Sequence, residues 1–132
     1  MRVLALDYGS VRCGCALSDH SGTVATPIEP IAAPASRRGM AALERLVRER
    51  EVTRVVVGLP LSLSGADSQQ TREAREFAAR LATRIGDTVA VEMHDERFTT
   101  RLAQRAPGAP RASEDSRAAA YLLEGWLASR AR

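Results

Sequence analysis

The feature that most restricts the fold is a change of hydrophobic period near residue 36. Before it, apolar residues recur at every second position; after it, they recur mostly at every third or fourth. The first period belongs to strands and the second to helices. In "VRCGCALS", Val11, Cys13, Cys15 and Leu17 alternate with Arg12, Gly14, Ala16 and Ser18, which predicts a half-buried antiparallel strand over 11–18. An apolar run over 2–7 precedes it across the short turn Tyr8-Gly9-Ser10. Ser21-Gly22 turns the chain into a third run, "TVATPIEPI", where Pro27 and Pro30 cannot donate to a ladder and so predict a sheet edge.

From Ser36 onward helices and strands alternate. Ser36 is placed to cap a helix with the stripe Met40, Leu43 and Val47, with Leu46 beside it. "RVVVGLP" then reads as a central strand buried on both faces and stopped by Gly58 and Pro60. A polar loop, "LSLSGADSQQ", leads into a helix presenting Ala74, Phe77, Ala78, Leu81 and Ile85, ended by Gly86. "TVAVEM" is the fifth strand, with Asp95 and Glu96 at its end. A short helix over 98–105, a basic loop "APGAPRA" and a last helix from Glu114 to Arg130 complete the chain. The predicted class is therefore α/β: a mixed five-stranded sheet, three antiparallel strands then two parallel ones, flanked by helices. The ribonuclease H-like fold has this order, with its first strand central.

At 132 residues the chain is expected to form one domain, residues 1–132. No apolar run approaches the roughly 20 residues needed to span a bilayer, and no signal peptide is recognisable, so a cytoplasmic protein with no membrane partner is expected. The net charge is +3, and all nineteen basic residues are Arg. Guanidinium groups grip phosphate bidentately and suit a nucleic-acid partner. A GC-rich coding bias also favours Arg, so the charge permits that partner without requiring it. Cys13 and Cys15 lie two apart on one strand face, a spacing that suits core thiols better than a disulfide.

Three places carry carboxylates that such a sheet brings to one edge. Asp7 ends the first strand, Asp95 and Glu96 end the fifth, and Asp115 opens the last helix, on the stripe of Ala119, Leu122 and Trp126. Each alone has an ordinary structural reading: a turn-former, a solvated pair beside Arg97, a helix cap. Together they would repel one another unless cations neutralise them. Hard oxygen donors suit Mg²⁺ or Mn²⁺, and two such ions serve phosphodiester cleavage. Adjacent strand residues face opposite ways, and of Asp95 and Glu96 the latter is favoured as the ligand. The expected catalytic set is Asp7, Asp95, Glu96 and Asp115, and the expected metal set Asp7, Glu96 and Asp115.

The chain resembles the RuvX/YqgF family, the Holliday-junction-resolvase-like branch of ribonuclease H-like nucleases. The resemblance rests on "LALDYGSVRCGCALSD", "ATPIEPI", "VVVGLPLSLSG", "DERFTT" and "EDSRAAAYLLEGWL", in order and over essentially the whole chain. It implies a metal-dependent nuclease whose acidic site comprises Asp7, Asp95/Glu96 and Asp115. Family members are described as candidate Holliday junction resolvases and as candidate nucleases maturing the 5′ end of pre-16S rRNA. The stretch before the last helix, "RAPGAPRASE", departs from the longer Lys-rich segment of many relatives. Arg12, Arg97, Arg101, Arg105 and Arg111 are the phosphate-contact candidates. Few aromatic residues, 4% of the chain, favour recognition of backbone shape over base stacking.

The alternatives are a non-catalytic nucleic-acid-binding factor in ribosome biogenesis or transcription, and an actin-like ATPase, for which one such domain is too little chain. Structured RNA and branched DNA remain open as partners. A two-fold symmetric junction calls for a homodimer, for which the Cys13/Cys15 face and the edge strand are candidate surfaces; an RNA-trimming enzyme can be a monomer.

Overall fold

The computed structural model describes residues 1–60, 68–95 and 114–130, without the side chains of Glu114 and Asp115. The elements are β1 (Val3–Asp7), β2 (Arg12–Ser18), β3 (Ala25–Ala32), α1 (Arg37–Glu49), β4 (Arg54–Leu59), α2 (Gln69–Ile85), β5 (Ala90–Asp95) and α3 (Glu114–Arg130). They form one five-stranded sheet of order β3-β2-β1-β4-β5. The pairs β1–β2 and β2–β3 are antiparallel, and β1–β4 and β4–β5 are parallel. The expected class, central first strand and edge position of the proline-bearing third strand all hold.

Local chemistry explains the helix limits. The Ser36 hydroxyl accepts the Gly39 N–H at 3.0 Å, and Ser68 accepts the Thr71 N–H at 3.2 Å, each satisfying a donor that the first turn leaves over. Gly86 ends α2 at φ 89°, a left-handed conformation that favours glycine.

Strand alternation divides the core in two. Leu4, Leu6, Cys13, Cys15, Leu17, Val55 and Val57 face Met40, Leu43 and Val47 of α1 and Phe77, Ala78 and Leu81 of α2. On the other face Val3, Ala5, Ala16 and Val56 meet Ala119, Ala120, Leu122, Leu123 and Trp126 of α3. Strand β2 is thus buried on both faces rather than half-buried: Gly14, Ala16 and Ser18, read as a polar face, are small residues that admit α3. Cys13 and Cys15 are buried thiols outside any disulfide, sealed beneath α1 and α2, so that face is no dimer surface. Strand β5 runs two residues further than "TVAVEM", because its ladder with β4 extends from Arg54↔Ala90 to Leu59↔Asp95. The helix expected over 98–105 and the loop "APGAPRA" lie outside the described residues.

At its far end α3 is clamped. The Trp126 indole N–H donates to the Glu92 carboxylate, which also pairs with Arg54 at 2.8 Å. The guanidinium carbons of Arg54 and Arg130 lie 5.8 and 4.9 Å from the centroid of the Trp126 ring.

Candidate functional site

Asp7 is the last residue of β1, at the carboxyl edge of the sheet and half-buried. It pairs with Gly14 of β2. On its other side the Leu6–Val57 pair puts Gly58 of β4 beside it. At the positions directly beside it both neighbouring strands therefore place glycine. Glycine inside a strand commonly marks a place where a ligand or another backbone comes close.

Asp95 closes β5 at the same edge, opposite Leu59. It lies two strands from Asp7, about 10 Å at ordinary strand spacing. The faces differ, however. Asp7 shares the parity of Val3 and Ala5, which pack under α3, whereas Asp95 shares that of Val91 and Met93, which pack toward α1 and α2. Glu96 lies outside the described residues, as do Arg97, Arg101, Arg105 and Arg111. Arg12, exposed at the start of β2, has the parity of Gly14 and so shares the edge and face of Asp7.

Asp115 is the second residue of α3, and its side chain lies outside the described residues. Its neighbour Ser116 is fully buried. The Cys15 N–H donates to Ser116 Oγ at 3.3 Å. The register of β2 against β3 shifts between Cys13 and Cys15, next to Pro30, and it is at this irregularity that the Cys15 amide turns to the serine. Cys15 pairs with Leu6, and the next pair is Gly14–Asp7. One hydroxyl thus fixes the first turn of α3 beside the end of β1.

His94 pairs with Gly58 on the same face, and its Nε2 is buried with no hydrogen-bond partner among the described residues. Burial pushes its pKa down, against the opposing charges of Asp95 and Glu92. Across the sheet edge Tyr8 stacks on Phe77 with ring centroids 4.6 Å apart, and burial, then the Glu73 charge, push its pKa up. Among the described residues no three His, Cys, Asp or Glu side chains gather as a metal cluster. The described part of the candidate set, Asp7 with glycine on both sides, suits hard divalent cations by donor type and by the room it leaves.

The match to known proteins follows this geometry. A family model described as "RuvX: Holliday junction resolvase" matches residues 1–129. The chain belongs to the RuvX family. A RuvX relative from Anaeromyxobacter dehalogenans (strain 2CP-C), named "Putative pre-16S rRNA nuclease", is 39% identical over 99% of both chains. A second of that name, from Koribacter versatilis, is 45% identical over 79% of this chain and 67% of its own. Among solved structures, Thermus thermophilus RuvC in complex with a Holliday junction substrate superposes with a TM-score of 0.64 at 16% identity, covering 99% of this chain and 96% of that one. That likeness concerns the fold: a RuvC-like sheet and helices. The family is one of nucleases by its relatives' names.

The sequence reading missed the Ser116 anchor, the paired glycines and the buried His94 nitrogen. The serine had a signal. Positions 116, 119, 120 and 123 form one inward stripe, and Ser116 is its lone hydroxyl among Ala119, Ala120 and Leu123.

Proposed function

We propose that this chain is a metal-dependent nuclease that hydrolyses phosphodiester bonds in structured nucleic acid, with the 5′ end of pre-16S rRNA and the Holliday junction as candidate substrates. The observation that carries the reading is topological: the ends of β1 and β5 and the first turn of α3 meet at one sheet edge, each with a carboxylate-bearing residue at or next to it. Asp7, Glu96 and Asp115 would hold Mg²⁺ or Mn²⁺, two ions in all. Such ions supply activation of the attacking water and stabilisation of the leaving oxygen.

The chain's own residues do the rest. The sheet fixes the Asp7 carboxylate, and Ser116 fixes the turn that bears Asp115. Asp95 has the parity opposite to Asp7, which leaves its neighbour Glu96 as the proposed ligand from that end of the sheet. Arg12 stands at that edge and face to meet backbone phosphate, with Arg97, Arg101, Arg105 and Arg111 as further contacts. The chain acts as one domain in the cytoplasm. For a resolvase role its dimer surface would involve the β3 edge.

The test is a cleavage panel: four-way DNA junction, linear duplex DNA and precursor ribosomal RNA, each with Mg²⁺, Mn²⁺ or EDTA, beside Asp7→Asn. Metal-dependent cuts absent from Asp7→Asn are expected. Tight binding with no cleavage of any substrate would replace the nuclease with a non-catalytic nucleic-acid-binding factor.

A further inference from the structure

A cavity of about 270 Å³ opens at the sheet edge between the β1–β2 turn and the first turns of α2, lined by Asp7, Tyr8, Gly9, Ser10, Pro60, Gln70 and Glu73. Pockets that enclose a whole small-molecule ligand run from about 300 to 1,000 Å³, so this one suits a single residue of a polymer. Its lining also restricts the chemistry. Glu73, a carboxylate outside the expected metal set, disfavours a phosphate there. Glu73 Oε1 already accepts from Gln69 Nε2 at 3.1 Å along α2. Among the described residues its second oxygen has no partner, and Gln70 and Ser10, which line the same cavity, bring side chains that can both donate and accept. The Tyr8 ring is stacked on Phe77, so the wall is a braced surface rather than a free platform for a base. The occupant that fits is neutral, compact and carries hydroxyl donors. A sugar meets all three conditions.

We propose that this cavity is a ribose subsite, in which Glu73 accepts from the 2′-hydroxyl of the nucleotide next to the bond being cut while the Gln70 side-chain amide donates to that hydroxyl's oxygen, making RNA the substrate. The inference rests on the nuclease reading above, because Asp7 is the wall shared by the cavity and the carboxylate edge. The 2′-hydroxyl is the group by which a protein tells RNA from DNA at a given position. A site built to bond a hydroxyl discriminates strongly against the analogue that lacks it, because its own polar groups are then left unpaired.

The experiment uses the full chain with Mn²⁺ and a precursor ribosomal RNA fragment in which a single 2′-deoxynucleotide is moved through the positions flanking the cut. An all-DNA strand of the same sequence runs alongside. One position is expected to slow cleavage by about 10- to 100-fold, a partial version of the discrimination that dedicated hydroxyl sites reach. In Glu73→Gln and in Gln70→Ala that penalty should shrink, each variant being scored against its own all-RNA rate so that a general loss of activity cancels. Cleavage indifferent to the 2′-deoxy scan, a penalty unchanged in both variants, or preferred cutting of DNA overturns the ribose subsite alone. No cleavage of any strand overturns the nuclease reading and the subsite with it.

Discussion

At its C-terminal end α3 is held by Trp126, whose ring is buried against the sheet, bonded to Glu92 and covered by Arg54 and Arg130. At its N-terminal end a buried hydroxyl, that of Ser116, accepts from the Cys15 amide and ties the first turn to β2. The contrast teaches where stability and function separate. A buried indole removes a large apolar area from water and is braced by charge, so the far end carries energy. A buried serine contributes little net energy when bonded, but it fixes one register between helix and sheet. That register sets where the residue next to it, Asp115, stands relative to Asp7.

The largest effect should come from the far end. Trp126→Ala is expected to cost about 3–5 kcal/mol, read as a lower urea midpoint, while the fraction still folded in the cold keeps its cleavage rate. Ser116→Ala should cost less stability, about 1–3 kcal/mol, because the Cys15 amide loses its partner. Its effect on turnover should be the larger one, a fall of about 10- to 100-fold, the scale usual for groups that orient metal-site ligands. Partial rescue by Ser116→Thr with unchanged nucleic-acid affinity would sharpen the distinction. Equal effects on turnover from the Trp126 and Ser116 variants would break it.

A smaller, pH-dependent effect belongs to the β2–β3 turn, where a Cβ on Gly22 would lie 3.9 Å from Leu127 of α3. The Ser21 hydroxyl and the Val24 and Thr23 amides bond the Asp19 carboxylate and hold its pKa well below the ordinary 3.8. A carboxyl whose folded pKa is depressed stabilises the fold above its unfolded value and loses that contribution as pH falls. The stability difference between wild type and Asp19→Ala should therefore be full near neutral pH and close progressively below about pH 4. A gap that stays constant into acid would mean that the turn is held by its backbone alone.

Much of this fold was legible because the hydrophobic period changes once and the punctuation is strong. Ser36, Gly86 and the two prolines of β3 did what their local chemistry dictates. The reading slipped where a partner element decides the outcome. The apolar run "TVAVEM" looks like the body of the fifth strand until the β4 ladder starts it at Ala90 and carries it through His94 to Asp95. Gly14, Ala16 and Ser18 look like a polar face until α3 covers them, and the same burial of β2 removes the Cys13/Cys15 face as a surface. At the site, Asp7 could be picked out from the strand that ends in it, and Arg12 from its position at the start of the strand that follows. The glycines at its sides could not, since their meaning depends on register across three strands. Ser116 needed knowledge of which amide the β2 irregularity leaves for it.

The central claim is that the carboxylates of this edge form a divalent-cation site whose architecture depends on Asp7. Calorimetric titration of Mn²⁺ into the full chain, without nucleic acid, tests it directly against Asp7→Asn. Saturable binding that is lost or weakened at least about tenfold in the variant, with both proteins equally folded by circular dichroism, is the predicted result. Identical Mn²⁺ binding in the two proteins, or no binding by wild type at millimolar Mn²⁺, would contradict the account.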